Sequence, residues 1–553
     1  MNKSLSTGLK VFMIIFMMTS FIRTSPAKAL SPMEYSSDVR VIPTPISNEV
    51  FVIINRSGPY DGYQGGRSTI LKVQGVGANS PEMLELQYKS NQNLGHSQEF
   101  ALPGTTTLIG SQDFRSPIMD LDFLANNSLT VISFGNNWML AIKGTGGSGE
   151  NMFQVDFINQ TDGFKPINGS NFYYGDAYFP SGLNLVQEVA YSTPSPHTKV
   201  IIGSGHHLIK VKAIETGHNM FALQFDKDKV DSERWSSEPG HTAYEGDQYF
   251  EEIDAVGEAN VSLIYAVKDI TFIGLGDGRM LKINGSGGTG HNMFNIRNKD
   301  VFFATHNTQW NTYLIGSHHS SKVTSMVYLP SSDTTLMGFW DGRMLRVQGV
   351  GGTGDNMFNV DIDDVTGFKT HSPNYTPMVG AQYLWKHPIN DILVFDHGNS
   401  IAIAVGIPVF SHEQGCVLFF NGIGTGTNMF ALSSPKNPCS SKSERGYDYY
   451  RATFSVSDLE WKKSSLYMNG TEPGSLYLVP GTQTLLIGQR IASDVSNASS
   501  FVGAPVLTKV DMTAQIPTLQ GHEVFCKTFE LLWSAMYQED TYQCDTWDLK
   551  DDL

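Results

Sequence analysis

Helical periodicity is what this 553-residue sequence most plainly lacks: no stretch repeats its apolar residues at the spacing of a helix face. That excludes helical bundles and helical solenoids. Charge is sparse, 17% of residues, and acidic in balance, with 54 Asp and Glu against 38 Lys and Arg. There is no Lys/Arg cluster either, so nucleic acid and anionic lipid are disfavoured as partners. Long apolar runs are missing. Val11 to Ile22 stops at Arg23, short of the roughly 20 residues that span a bilayer, and no other run is longer enough to do so.

Cysteine is scarce too, with Cys416, Cys439, Cys526 and Cys544 all in the last quarter of the chain. Four cysteines allow three pairings; the most local joins Cys416 to Cys439 and Cys526 to Cys544. No C-x-x-C or matched Cys/His spacing supports zinc, and the metal expectation is none. Oxidised cysteines suit export, and the first residues agree. Lys3 and Lys10 precede the short apolar run, and Ala27-Lys28-Ala29 follows as a small-x-small cleavage site, so residues 1–29 read as a signal peptide. Its removal leaves 34 basic residues against 54 acidic, a formal charge near −20. The expected location is extracellular. Lys550-Asp551-Asp552-Leu553, close to a retrieval signal, makes the ER lumen the alternative. Beyond residue 29, nine N-x-S/T sequons, at Asn55, Asn126, Asn159, Asn168, Asn260, Asn284, Asn374, Asn469 and Asn497, are glycosylation candidates in that setting.

What the chain has in quantity is glycine, and much of it recurs in a repeat. The clearest copies are GDGRMLKINGSGGTGHNMFNI from Gly276 and FWDGRMLRVQGVGGTGDNMFNV from Phe339. Weaker copies begin at Asn136, His206, Ser68 and Cys416. The Asn-Met-Phe triplets start at 151, 219, 292, 356 and 428, with Glu82-Met83-Leu84 as an altered first member. Asp277-Gly278 and Asp341-Gly342 lie between apolar runs, where a two-residue hairpin turn requires positive φ. A glycine loop and a further strand follow each hairpin. One more apolar run precedes it, such as Ile392 to Phe395. Each repeat is therefore a four-stranded unit, and units of this kind arranged radially make a β-propeller. Thr484 to Gly488 and Val506 to Val510 repeat the middle strands once more, giving about seven blades, with six or eight open. The expected division is residues 1–29 signal, 30–538 a single all-β propeller and 539–553 an acidic tail, with Glu523 to Met536 as a closing segment or helix.

The glycine loops read as structural connections. Gly351 to Phe358 resembles one calcium-binding nonapeptide, but Asn356 stands where aspartate belongs and the loops do not stack, so no cofactor is expected. The basic residue recurring in the third strand (Lys72, Lys210, Lys282, Arg346 and Lys509) is expected to cover apolar surface with its stem and keep its charge in solvent. A salt bridge to the next blade is the alternative.

A second recurrence places one tyrosine per blade: Tyr178, Tyr249, Tyr313, Tyr383 and Tyr449, with Phe100 in the first place. Asp176, Asp247 and Asp448 lie near three of them. Aromatic faces beside acceptors suit a sugar or protein contact, while packing between blades is the competing role. The histidines have no diagnostic spacing, and no G-x-S-x-G or Cys/His nucleophile signature occurs. The expected function is a secreted, non-catalytic propeller that contacts carbohydrate or a protein partner through aromatics and blade loops, especially residues 159–174, 407–415, 433–445 and 489–504. A propeller enzyme acting on glycans, hydrolase or lyase, and a structural or matrix protein are the alternatives.

Overall fold

The computed structural model describes residues 27–28 and, between 38 and 519, all but the stretches 57–66, 75–86, 91–97, 102–107, 190–198, 253–257, 297–312, 408–414, 433–437, 440–449, 456–470, 492–506, 512–517 and a few shorter ones. The closing segment 523–536 and the acidic tail lie outside the described residues. So does the expected signal peptide, except that Ala27–Lys28 forms a two-residue strand beside Ser325 and Met326.

The fold is an all-β propeller, its described helix a single 3₁₀ turn at Asp231–Glu233. Unit 1 comprises Asp38–Pro43, Glu49–Arg56, Arg67–Gln74 and Leu108–Phe114; unit 2, Ile118–Leu124, Leu129–Phe134, Trp138–Lys143 and Tyr173–Tyr178. Unit 3 comprises Asn184–Val189, Lys199–Ser204, His207–Val211 and Tyr244–Tyr249; unit 4, Val261–Val267, Ile270–Leu275, Arg279–Asn284 and Leu314–His319. Unit 5 is Val323–Leu329, Thr334–Phe339, Arg343–Gln348 and Met378–Tyr383; unit 6, Ile389–Phe395, Ser400–Val405, Cys416–Phe420 and Tyr450–Ser455. The last, unit 7, is Thr471–Leu478, Thr484–Ile491, Leu507–Asp511 and Thr518–Leu519. Every unit is an antiparallel meander. Units 7 and 1 share one eight-stranded sheet through the pair Asp38 and Arg490, so seven meanders form six large sheets. That count lies within the expected range.

The first strands form the inner ring, those of units 2 to 7 packing in succession and that of unit 7 against unit 1. β-Bulges there re-aim one side chain toward the next unit. At such bulges Asp120 Oδ2 accepts from Val186 N (3.1 Å), Ser325 Oγ from Ile392 N (3.2 Å), Asp391 Oδ2 from Leu476 N (2.8 Å) and Ser475 Oγ from Val41 N (3.2 Å). Between units 1 and 2, Asn55 closes the ring by exchanging hydrogen bonds with Ile118 N and O at 2.9 and 2.8 Å.

The outer strands are joined by the glycine loop, whose role extends beyond connecting the third and fourth strands of its own unit. The loop of one unit lies on the fourth strand of the unit before it, pairing Gly149 with Gly110, Gly217 with Gly175, Gly290 with Gly246, Gly354 with Gly316 and Gly426 with Gly380. The methionine N–H of Asn-Met-Phe then donates to the next carbonyl of that strand, for example Met357 to Ser317 O (2.9 Å) and Met293 to Asp247 O (3.0 Å). The asparagine carries the chain through this bend in left-handed geometry: φ lies between 49° and 59° at Asn151, Asn219, Asn292, Asn356 and Asn428. Its Oδ1 accepts the amide four residues on, as Asn356 does from Val360 (3.0 Å). The phenylalanines Phe153, Phe221, Phe294, Phe358 and Phe430 are buried in the core. Gly351, with φ +73°, has the Phe358 ring where a Cβ would sit.

The recurring basic residue belongs to the same joint, and here the sequence expectation is corrected. Lys72, Lys210, Lys282 and Arg346 are buried, not solvent-tipped. Each reaches loop carbonyls of the next unit: Lys72 those of Thr145 and Gly146 (3.1 and 3.0 Å), Lys282 those of Gly351 and Gly352 (3.0 and 2.9 Å), and Arg346 those of Ile423 and Gly424 (2.7 and 3.0 Å). Lys210 reaches Gly287 and Gly288 in the same way. Burial pushes Lys282 and Lys210 down to about 8. Where the cation is replaced, the receiving loop changes with it. Ala141 precedes the trimmed Ala213-Ile214-Glu215-Thr216-Gly217 loop, and Phe419 precedes unit 7, which has no glycine loop. Arg346, the longer cation, faces the loop that is one residue shorter, Gly422-Ile423-Gly424-Thr425-Gly426.

Gly316 tests the backbone contact, because an added Cβ would stand 2.9 Å from Met357 Cβ. Gly316→Ala is expected to destabilise the protein by about 1–3 kcal/mol in denaturant unfolding. An unchanged midpoint would show that loop and strand are not in close contact.

Candidate functional site

With the repeat committed to joining units, the variable chain between each Asn-Met-Phe and the fourth strand is what differs around the ring. Among the described residues it forms a hairpin arm in four units: Gln87–Ser90 with Gln98–Ala101, Val155–Asn159 with Gly163–Pro166, Leu223–Phe225 with Trp235–Ser237, and Val360–Asp363 with Gly367–Thr370. The arms carry exposed apolar residues, Ile158, Val230, Ile362 and Val365, the last 73% exposed.

One position anchors the arms by several chemistries. The first residue of the third strand is Trp138 in unit 2, His207 in unit 3, Arg343 in unit 5 and Cys416 in unit 6. Trp138 packs on Phe157 and Phe164 of its arm, with ring centroids 6.3 and 6.5 Å apart. His207 packs on Trp235 at 6.3 Å. Arg343 donates through Nε to Gly367 O (3.1 Å) and pairs through Nη2 with Asp364 (2.7 Å). Cys416 is bonded to Cys439, the local pairing expected from the sequence; Cys526 and Cys544 lie outside the described residues.

Across from each anchor, at the end of the fourth strand, stands the rim residue. Tyr178 pairs with Trp138, Tyr249 with His207 and Tyr383 with Arg343, so these three tyrosines share one place in the repeat. Their exposure differs. Tyr178 is 47% exposed and 5.4 Å from Trp138; Tyr249 is half-buried against His206 and His207; Tyr383 is buried, with Arg343 4.8 Å from its ring and Trp385 stacked at 5.7 Å. Beside Tyr383 the connection to unit 6 turns through Trp385 and Lys386 with φ of 46° and 69°, a conformation bulky residues rarely adopt. In unit 4 the rim place is held by His319 opposite Arg279. Tyr313 lies elsewhere, over Gly288 of its own glycine loop, and Phe100 is in the unit 1 arm. Tyr449 and Asp448 lie outside the described residues. The strand after them puts Ala452 and Thr453, by register, where units 3 and 5 have glycine and the residue after it.

Asp176 and Asp247 face the seams between units and are fully buried, so neither presents an oxygen at the surface. Asp176 accepts from Phe164 N (2.6 Å) and Tyr173 Oη (3.3 Å), with His218 Nδ1 at 3.0 Å from the next unit. Asp247 accepts from Tyr244 Oη (2.7 Å), with His291 Nδ1 at 2.7 Å. Desolvation raises both carboxyls, and it raises the tyrosines too. These His–Asp pairs were missed in the sequence although a signal existed. Tyr-x-Gly-Asp occurs in units 2 and 3, and Gly-His-Asn-Met-Phe in the units that follow them. Elsewhere the same positions pair Ser111 with Glu150, Ser317 with Asp355 and Ala381 with Thr427. Among the described residues no group of three or more His, Cys, Asp or Glu could hold a metal ion.

Of the sequons, Asn55 is buried with its carboxamide closed on Ile118. Asn284 is exposed at the start of a glycine loop, Asn260 is half-buried beside Glu258, and Asn159 is exposed at the tip of the unit 2 arm, bonded to Asp162. Asn126, Asn168, Asn374, Asn469 and Asn497 lie outside the described residues.

No family model matches the sequence, and no curated protein matches it. Among solved structures it is similar to the C-terminal WD40 domain of Sif2, at 9% identity and TM-score 0.33, over 84% of this chain and 94% of that one. It is also similar to Sqt1 from Chaetomium thermophilum, at 9% identity and TM-score 0.38, over 85% and 98%, and to the same protein bound to the N-terminus of ribosomal protein L10, at 9% and 0.35, over 83% and 95%. At such TM-scores the overlap carries no weight, and the propeller rests on the strand pairing itself.

Arg343→Met should release the unit 5 arm, since it removes the bonds to Gly367 O and Asp364 together. Trypsin should then cut after Lys369 several-fold faster than in the wild type, and an unaltered cleavage rate would show that the arm is held by other means.

Proposed function

We propose that this chain is a non-catalytic binding scaffold of the secretory pathway or cell exterior, whose arms and rim contact a partner protein. The observation that carries the reading is the pairing of rigid anchors with exposed apolar arm residues. Function in a packed scaffold concentrates in variable loops, and apolar side chains held at the surface mark contact sites. Trp385, half-buried at the rim, is of a type enriched in protein contacts. The N-terminal leader pattern and the Cys416–Cys439 disulfide support an oxidising compartment.

A carbohydrate ligand is the second reading, and Tyr178 favours it, because its exposed ring lies against Trp138 with His218 nearby. The two readings separate by experiment. Proximity labelling from the secreted protein should give a set of neighbours that Ile362→Asp with Val365→Asp removes, at unchanged melting temperature. Retention of every neighbour would reject the arm as a contact. Binding on a glycan array that Tyr178→Ala abolishes would place the ligand on the rim as a sugar instead.

A further inference from the structure

We propose that Trp385 and Lys386 form a contact knuckle for a partner-protein segment that carries an acidic residue beside an aromatic one, a proposal that rests on the protein-partner reading above. The connection from unit 5 to unit 6 is longer than the fold requires. Between units 4 and 5, Ser320 N donates to Gly278 O (3.1 Å) and Lys322 O accepts from Trp340 N (2.8 Å), with one residue between the two ties. Between units 5 and 6 the same ties run from Leu384 N to Gly342 O (2.8 Å) and from Gly406 N to Pro388 O (2.7 Å), with three residues between them.

The additional chain reverses on itself. His387 N donates to Leu384 O (3.0 Å), and Trp385 and Lys386 take the two central places of the turn with φ of 46° and 69°. Asn-Gly or Gly-Gly ordinarily fills such places, because an L side chain is strained there. The connection from unit 2 to unit 3, residues 179–183, is equally long but has Gly182 at φ 99°. Among the described residues, no other two consecutive non-glycine residues both have positive φ. Strain of this kind persists only where the surroundings enforce it, and it gathers at binding surfaces. Here Leu384 and Ile389 are buried on either side, and His387 is buried with Nδ1 3.0 Å from Gly406 O. The turn also lies close on the unit 5 hairpin, with Lys386 N 3.0 Å from where a Cβ on Gly342 would stand.

Neither side chain of the turn serves the core. Trp385 is half-buried with its ring stacked on Tyr383, and Lys386 is exposed. Charge selects what they can hold. Arg343, over the Tyr383 ring, is committed to Asp341 and Asp364. The remaining arm carboxylates are engaged as well, Asp361 with His371 and Asp363 with the amides of Val365 and Thr366. Lys386 has no ion pair among the described residues, so its ammonium is left for a carboxylate from outside, next to an aromatic face. The acidic balance of the whole chain is screened beyond about 8 Å at physiological ionic strength, and the local cation decides.

An array of random dodecapeptides, probed with the full chain at physiological ionic strength, tests this. The wild type should select peptides with Asp or Glu beside Trp, Tyr or Phe. Lys386→Gly relieves the turn while keeping Trp385, and it should raise the thermal midpoint by about 1–2 °C. The same variant should bind the selected peptides about tenfold more weakly. Lys386→Glu, which leaves the backbone strain in place, should turn the preference toward Lys and Arg. Trp385→Asn should remove the aromatic preference.

A wild type that selects no acidic peptides, binding unchanged in Lys386→Gly, a lowered midpoint in that variant, or an unreversed preference in Lys386→Glu would each overturn the knuckle. Proximity labelling separates this failure from that of the broader reading. Neighbours labelled by the wild type and all retained by Lys386→Glu would overturn the knuckle and leave a partner protein standing. A wild type that labels no neighbour would overturn the partner-protein reading and the knuckle with it.

Discussion

The propeller depends on backbone-to-backbone pairing between the glycine loop of one unit and the outer strand of the unit before it. A four-stranded meander has an open outer edge, and such an edge must be covered. Here the following unit covers it with its own loop. Close approach needs a residue without a side chain on the strand, which is why Gly110, Gly175, Gly246, Gly316 and Gly380 recur. The left-handed bend at Asn-Met-Phe then turns the loop away and drops phenylalanine into the core. A buried Lys or Arg from the preceding unit satisfies the loop carbonyls that the bend would otherwise strand in a dry interior.

This joint explains why the most conserved-looking feature within the chain carries no chemistry of its own. It also explains the departures. Where the cation is absent, at Ala141 and Phe419, the next unit has a loop with a single glycine or none, Tyr174 Oη donates to Ile214 O in the first case, and Asp120 and Asp391 join those same seams from the inner ring. Seams with less outer bonding thus hold a carboxylate at the centre. In units 2, 3, 5 and 6 the first residue of the third strand serves the arm, as Trp, His, Arg or half a disulfide, whereas Arg279 of unit 4 bonds Asp277 of its own turn and Glu251 O of the connection from unit 3.

Fold class, unit boundaries and the Cys416–Cys439 pairing were legible in the sequence, because turn glycines and the Asn-Met-Phe spacing are local signals. The direction of the Lys72, Lys210, Lys282 and Arg346 side chains was not. Strand alternation places them opposite their apolar neighbours, but in a propeller that opposite face is also interior, packed against the next unit. Tyr178, Tyr249 and Tyr383 were correctly aligned with one another, whereas Tyr313 lies six residues before His319, which holds their place in unit 4. The burial of Asp176 and Asp247 could not be read from one unit, since it requires the histidine of the next. Only comparison of consecutive units reveals that pairing.

The length match between cation and loop is where the account is most exposed. Deleting Gly352 gives the unit 5 loop the Gly-x-Gly-Thr-Gly pattern of unit 6, which Arg346 serves in place of lysine. The thermal midpoints of the deletion alone and of the deletion with Lys282→Arg should differ, the arginine restoring about half or more of the stability lost, as coupled groups do. If arginine gives no recovery, or lowers the midpoint further, the cation and the loop are not the coupled parts of one joint, and the account of how the units are held together is wrong.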